Sequence, residues 1–354
     1  MRTSVSQFAY LEVPRRPAVA RAFKSDAYWQ PGEHQPVLSF PAPLGPPTVS
    51  ASLHVPTNVE VLKLAPSASR ARYKLSDKGK YGVALLERVP EIAKLIDQPE
   101  KIRWIRQLAN ASTSAFTKRL EKIGIDSVLA GKIIDLAQQH FALPFRSVSE
   151  LVSEEQAAET TDLFERLTSV GLMYRGLALR CGTCLVQSFV ELSATGARPT
   201  CPGCGADASY VIDQRRKSGV SVHYRLNALL DRAANGGVLP TLAAAGHLEQ
   251  ATAERGVEVM HLVPGADVYV EDQHIGEIDI LGFLGQEVVA GEVKTSAEDF
   301  TPEQIDKDLK IAVAVGADVY VVASTGAISQ AQRAVAREKA DEAGCHLMII
   351  DWES

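Results

Sequence analysis

The chain has 354 residues, 46% of them hydrophobic, and a formal charge of −6. That length buries at least one sizeable core and points to two or three domains, while the net negative charge leaves only local basic patches for gripping nucleic acid. No apolar run reaches the roughly eighteen residues of a membrane span, and MRTSVSQFAYLEVPRR lacks an apolar signal core, so the expectation is a cytoplasmic protein without membrane contact.

Residues 1–66 hold ten of the eighteen prolines, a density that forbids long helices and central strands. Short strands and irregular backbone are expected there. Residues 67–175 read as a mainly helical domain, with Thr113 before SAFTKRLEKIG and Asp126 before SVLAGKIIDLAQQHF as helix starts. A last helix over 153–169, a glycine and an apolar strand fit either a winged-helix unit or a helical spacer. Lys101, Arg103, Arg106, Lys118, Arg119 and Lys122 make this region basic, which describes a DNA-contacting face or a solvated one.

Residues 176–212 carry the strongest motif. Cys181 and Cys184 in CGTC, and Cys201 and Cys204 in CPGC, are two pairs sixteen residues apart, the spacing of a four-cysteine zinc ribbon. A closed shell of four thiolates leaves zinc no open position, so its role is structural. The intervening LVQSFVELSATGARPT has the size of a hairpin. Such a ribbon grips nucleic acid, docks a protein partner or braces its neighbours. The fifth cysteine, Cys345 in CHLMIID, reads as a buried, inert strand residue. After the last ligand, Arg215, Arg216, Lys217 and Arg225 lie near Tyr210, His223 and Tyr224, a mixture suited to phosphates and stacked bases, or to an exposed linker.

Residues 213–354 alternate helical and strand patterns. A helix over about 221–247 precedes a strand near 257–262, then a hairpin of strands 277–284 and 287–294. A helix from Thr301, the strand ADVYVVAS, the helix AISQAQRAVAREKADEAG and the strand CHLMIID follow. The predicted core is α-β-β-β-α-β with an extra helix and strand. If Gly285-Gln286 form a two-residue turn, Leu284 faces Glu287, Asp279 faces Glu292 and Glu277 faces Lys294, and alternation puts these four on one face. Ile278, Ile280, Val289 and Val293 then line the other. Opposed carboxylates repel, so Asp279 and Glu292 call for a cation. Magnesium or manganese, which prefer oxygen ligands, fit, and Lys294 can stabilise charge developing on a phosphate. The bland reading is an ordinary amphipathic hairpin.

Asp279 followed by Glu292-Val293-Lys294 at the end of the next strand, within this order of elements, resembles the PD-(D/E)XK, or restriction-endonuclease-like, superfamily over about 135 residues. The resemblance implies a magnesium-dependent nuclease in which Asp279 and Glu292 hold metal and Lys294 assists attack, with DNA as the expected substrate and defence or DNA processing as fitting roles. It also implies a polar residue from the following helix. Gln304 occupies that place, although it equally suits the third position of a helix begun by Thr301. Superfamily members often carry an acidic residue on the first helix, and here only Asp231 or, from the hairpin, Glu277 is available. The rival function is a non-catalytic zinc-ribbon adaptor binding nucleic acid, or binding protein through the ribbon or the N-terminal region.

Overall fold

A computed structural model describes residues 28–30, 37–40, 49–52, 71–109, 122, 124–126, 129, 144–212, 219–254, 260–284 and 287–352. The chain folds as two compact units, Met1–Val83 with Pro240–Ser354, and Ala84–Leu239. In chain order the strands are β1 (Tyr28–Gln30), β2 (Val37–Phe40), β3 (Val49–Ser52), β4 (Ala71–Leu75), β5 (Phe145–Ser147), β6 (Met173–Cys181) and β7 (Gln187–Glu191). They continue with β8 (Ala208–Tyr210), β9 (Val222–Leu226), β10 (Met260–Val270), β11 (Gln273–Leu284), β12 (Glu287–Lys294), β13 (Val319–Ser324) and β14 (His346–Asp351). The longer helices are α1 (Asp77–Arg88), α2 (Pro99–Gln107), α3 (Ala157–Ser169), α4 (Ala228–Asn235), α5 (Val238–Glu254), α6 (Pro302–Ala314) and α7 (Gln330–Glu342).

The first unit is built on a six-stranded sheet in the order β14-β13-β12-β11-β10-β4. The pairs β12–β13 and β13–β14 are parallel, whereas β12–β11, β11–β10 and β10–β4 are antiparallel. One face packs Leu281, Phe283, Ala290, Tyr320 and Val322 against Ile305, Leu309 and Ala312 of α6 and Ala336 and Ala340 of α7. The other face packs Ile280, Leu284, Val289, Val293 and Val321 against Ala244, Ala245 and Leu248 of α5. Helices on both faces make β13 apolar on both sides, and all six of its residues are buried. Thr301 and Ser329 start α6 and α7, their side chains accepting from the backbone N–H of Gln304 and Gln332. The helix, three strands and two helix–strand repeats of the predicted core are all present. β1–β3 form a separate antiparallel sheet.

Three expectations need correction. Residues 222–226 are a strand, β9, which Asn227 ends by leaving helical geometry and capping Leu230, and the rest of the predicted 221–247 helix is split into α4 and α5 at Gly236 and Gly237, where Gly237 has φ +73°. The expected boundary between 175 and 176 falls inside β6, and that after 212 separates the cysteine region from β9, which pairs with β6. The 67–175 domain loses its first part, since β4 extends the large sheet by pairing with β10.

In the second unit, β5, β9, β6 and β7 form one sheet, with β8 added on β6. Gly171, at φ +72°, stops α3 in a left-handed turn, and Leu172 N–H closes it on Leu167 O at 2.9 Å. Phe164, Leu167, Leu172 and Met173 are buried around this turn. The predicted helices after Thr113 and Asp126 lie almost wholly outside the described residues. Asp126 itself does accept from Leu129 N–H at 3.0 Å, the bond of a helix start. Among the described residues no helix is long and apolar enough to cross a membrane.

Candidate active site and metal centre

The cysteine cluster is built on the end of β6. Thr183 and Cys184 N–H both point to Cys181 Sγ at 3.4 Å, and Gly203 N–H does the same to Cys201 Sγ. The left-handed residues Leu185 and Gly205 close the two bends by donating to Cys181 O and Cys201 O at 3.1 and 2.8 Å. Sγ–Sγ separations are 3.6 Å for Cys181–Cys204 and 3.5 Å for Cys184–Cys201, and all four sulfurs lie within 4.8 Å of one another. Tetrahedral zinc with bonds of about 2.3 Å requires sulfurs about 3.8 Å apart, so the four can hold a metal such as zinc. The backbone N–H of Cys184, and then that of Thr183, draw the Cys181 thiol down to about 6. At Cys184 the Val186 N–H bond pulls the thiol down, but hydrogen bonds from the Cys181, Cys201 and Cys204 sulfurs outweigh it and push the group up to about 12, so the crowded sulfurs share their protons as a group. The segment between the pairs forms no hairpin of its own, since β7 pairs with β6 instead.

The second cluster lies on the face of the large sheet beneath α6. β11 and β12 pair as expected from Leu284 opposite Glu287 to Ile280 opposite Gly291, where the ladder ends one step short of Asp279 and Glu292. Val293 N–H donates to Asp279 Oδ2 at 3.0 Å, which ties the two strand ends together. Asp279 is buried, and Glu292 is ion-paired with Lys294. The predicted alternation of β11 breaks here. Ile278 joins the α6 side of the core with Leu281, whereas Ile280 packs toward α5. Gly265, which the β10–β11 register sets opposite Asp279, has φ +84°, a conformation that turns β10 at this point. Glu277 is exposed and pairs across the ladder with Asp267.

That turn also admits a residue that the sequence pattern gave no reason to choose. A Cβ on Gly79 would come within 1.9 Å of Gly265 O, so only glycine lets the first turn of α1 approach β10 backbone to backbone. Ser76 Oγ caps this turn on Gly79 N–H at 3.0 Å. Lys78, between them, thereby reaches Asp279 Oδ1 at 2.5 Å.

From α6 come Gln304 and Asp308. The apolar stripe Ile305, Leu309 and Ala312 turns Asp308 toward the sheet, where it is buried. Gln304 Nε2 donates to Asp308 Oδ1 at 2.7 Å instead of folding back on the Thr301 backbone. Burial raises the Asp308 carboxyl, and Asp279 adds to the shift. Burial, then the charges of Asp279 and Asp308, push Glu292 up to about 8. Burial pulls the Lys294 ammonium down, but Glu292 outweighs it and holds the group above its usual range. The two titrate as a pair, and the raised Glu292 is the direction that burial among carboxylates dictates.

This shift has a definite sign. Unfolded, Glu292 titrates near its usual 4.5, so its contribution to stability is complete below that value and is lost as pH rises through about 8. In chelator, Glu292→Gln should match the parent in denaturant unfolding at about pH 4 and exceed it by a margin that grows with pH, to roughly 2 kcal/mol or more by about pH 9. An equal difference at both values would remove the buried carboxyl from the account.

The remaining expected residues fare differently. Asp231 belongs to the other compact unit, where it is buried in α4 and accepts from Asn235 at 3.3 Å. Arg225 stacks on Tyr174 and Phe189 and pairs with Glu191 at 3.4 Å, which commits it to the packing of its own sheet. His223 is buried, and Tyr224 donates to Glu165 at 2.7 Å. Arg215, Arg216 and Lys217 lie outside the described residues, as do Lys118 and Arg119. Cys345 is buried as expected, and burial raises its thiol. Asp308 was legible in principle as a charge on an otherwise apolar helix stripe, whereas Lys78 carries no such mark.

No family model and no curated protein matches the chain. Among solved structures it is similar to the crystal structure of protein VC1899 from Vibrio cholerae, at 10% identity and a TM-score of 0.35, over 91% of this chain and 65% of that one.

Proposed function

We propose that the large sheet carries a metal-dependent nuclease that hydrolyses phosphodiester bonds, with DNA as its substrate. The observation that carries this reading is that Lys78 pairs with Asp279 and Lys294 with Glu292 on the face of the sheet beneath α6, near enough to one another and to Asp308 for the two aspartates to raise Glu292. The donor set suits a hard divalent ion, since carboxylate oxygens select magnesium or manganese over softer metals. Asp279 and Glu292 would hold that ion, with Val293 N–H fixing the Asp279 carboxylate. When bound, such an ion polarises a phosphoryl oxygen and lowers the pKa of a coordinated water. Lys294 then stabilises the negative charge that develops on the phosphate, and Lys78 balances Asp279 before substrate arrives. In this reading the cysteine cluster holds zinc as a brace, closed to substrate.

Incubating the full chain with single- and double-stranded DNA and RNA, with magnesium or manganese, tests the proposal. Cleavage lost on Asp279→Asn is the expected result, and no cleavage of any substrate would overturn it. The Lys78–Asp279 and Lys294–Glu292 pairs favour one other reading, a structural ion-pair network in a zinc-ribbon adaptor. Such an adaptor would bind nucleic acid without cutting it.

The stretch Arg215–Lys217 supplies phosphate contacts in this proposal. Changing Arg215, Arg216 and Lys217 to Ala should flatten the log–log salt dependence of DNA binding by roughly one unit per lost contact. An unchanged slope would make the stretch a solvated linker.

A further inference from the structure

We propose that Lys78 is a latch on the Asp279 carboxylate: its ammonium occupies the oxygen that a divalent ion needs, and the side chain swings away when the site loads. The inference rests on the nuclease reading and supplies the regulation of that site. Asp279 has both oxygens engaged. Oδ2 accepts from Val293 N–H at 3.0 Å, and the β12 backbone that donates this bond is fixed by its pairing with β13, so that oxygen stays where it is. Oδ1 is the oxygen left for an ion, and Lys78 Nζ lies on it at 2.5 Å. The two side chains are 18% and 6% exposed, so solvent does little to screen the pair. An ammonium and a metal ion held by one oxygen lie a few ångström apart, where like charges away from water repel strongly. Lys78 and the ion therefore compete for Oδ1.

The latch opens at the side chain and not at the helix. Ser76 N–H donates to Gly265 O at 3.3 Å, and Gly79 on the other side of Lys78 packs its backbone on the same carbonyl, so the first turn of α1 is pinned to β10. Among the described residues Asp279 is the one acid paired with Lys78. A lysine carries a compact charge on a flexible four-carbon stem, which leaves a carboxylate without moving the fold, whereas the fork of an arginine grips both oxygens. Without metal the pair neutralises a buried carboxylate that would otherwise be costly. The same contact weakens metal binding, because only molecules with Oδ1 free can bind.

The test has two arms on the full chain, both with Mn2+, a hard ion that a thiolate cluster does not favour. In the first, the parent is acetylated with an amine-reactive reagent with and without Mn2+, and each lysine is read by peptide mass spectrometry. Mn2+ should raise acetylation of Lys78 several-fold and leave unchanged that of Lys80, which is 62% exposed and paired with Asp77. In the second, calorimetry follows Mn2+ binding to the parent, Lys78→Gln, Lys78→Arg and Asp279→Asn, with circular dichroism as the check on folding. Lys78→Gln should bind Mn2+ about tenfold or more tighter than the parent, and Lys78→Arg no tighter, since it keeps the charge. Unchanged Lys78 acetylation at saturating Mn2+, or parent affinity in a folded Lys78→Gln protein, would overturn the latch. Parent binding that Asp279→Asn abolishes would in that case leave the nuclease site standing, whereas a parent that binds no Mn2+ would remove both. Should Lys78→Gln not fold, the acetylation arm decides alone.

Discussion

Lys294→Ala should slow phosphodiester cleavage by about a hundredfold or more while leaving Mn2+ affinity within a few-fold of the parent, because the ammonium acts on developing phosphate charge and not on the ion. Glu292→Gln and Asp279→Asn should abolish cleavage by a different route, through loss of metal. Their effects on the metal-free fold separate them further. Glu292 is strained by burial beside Asp279 and Asp308, so its neutralisation stabilises the protein at alkaline pH. Asp279 is the partner of largely buried Lys78, and removing its charge strands that ammonium, a change that costs about 3–5 kcal/mol in comparable buried pairs. A structural hairpin predicts no cleavage in any variant. Metal-dependent cleavage assays beside denaturant unfolding of the three proteins read both axes, and parent-like cleavage by Lys294→Ala would remove that residue from the chemistry.

If the four cysteines hold zinc, its loss should be the largest change in the second unit. Metal analysis of the purified chain is expected to find about one zinc, absent from a Cys184→Ser and Cys204→Ser double variant. Zinc sites of this kind contribute about 10–16 kcal/mol of apparent binding free energy in small peptides that otherwise do not fold. Here the loss should be local. β6 is anchored by its own apolar contacts, with Ala178 and Leu179 buried, and it pairs with β9 independently of the cysteines. Hydrogen exchange should therefore rise across the bends at 182–184 and 202–205 and through β7 and β8, while α3 and β9 stay protected. A zinc-free chain with unchanged protection at these bends would defeat the assignment, and DNA cleavage supported by zinc alone would defeat its structural role.

Local patterns determined a large part of this architecture. Cysteine spacing is a covalent property of the chain, so each tight bend was bound to bring its own two sulfurs together, while the pairing of β6 with β7 and β8 brings the two bends to one another. The 287–294 strand, its register against β11, and the caps at Thr301 and Ser329 follow equally from short-range rules, since a two-residue connection permits few alignments and a hydroxyl before an apolar stripe starts a helix. The 221–247 helix failed because VHYRL has residues compatible with both periods, and only pairing with β5 and β6 decides for a strand. Long-range contact alone decided the rest. Alternation along β11 breaks at Asp279 because a left-handed glycine on the adjacent strand turns the ladder there. Lys78 reaches Asp279 across 201 residues of sequence because Gly79 allows α1 to touch β10, a steric condition written in two glycines and visible only once they meet. Asp308 joins the carboxylates because helix packing turns its stripe onto the sheet. Side-chain identity and local period are read within a turn or a strand, whereas the electrostatic environment of a buried acid is set by which distant elements close over it.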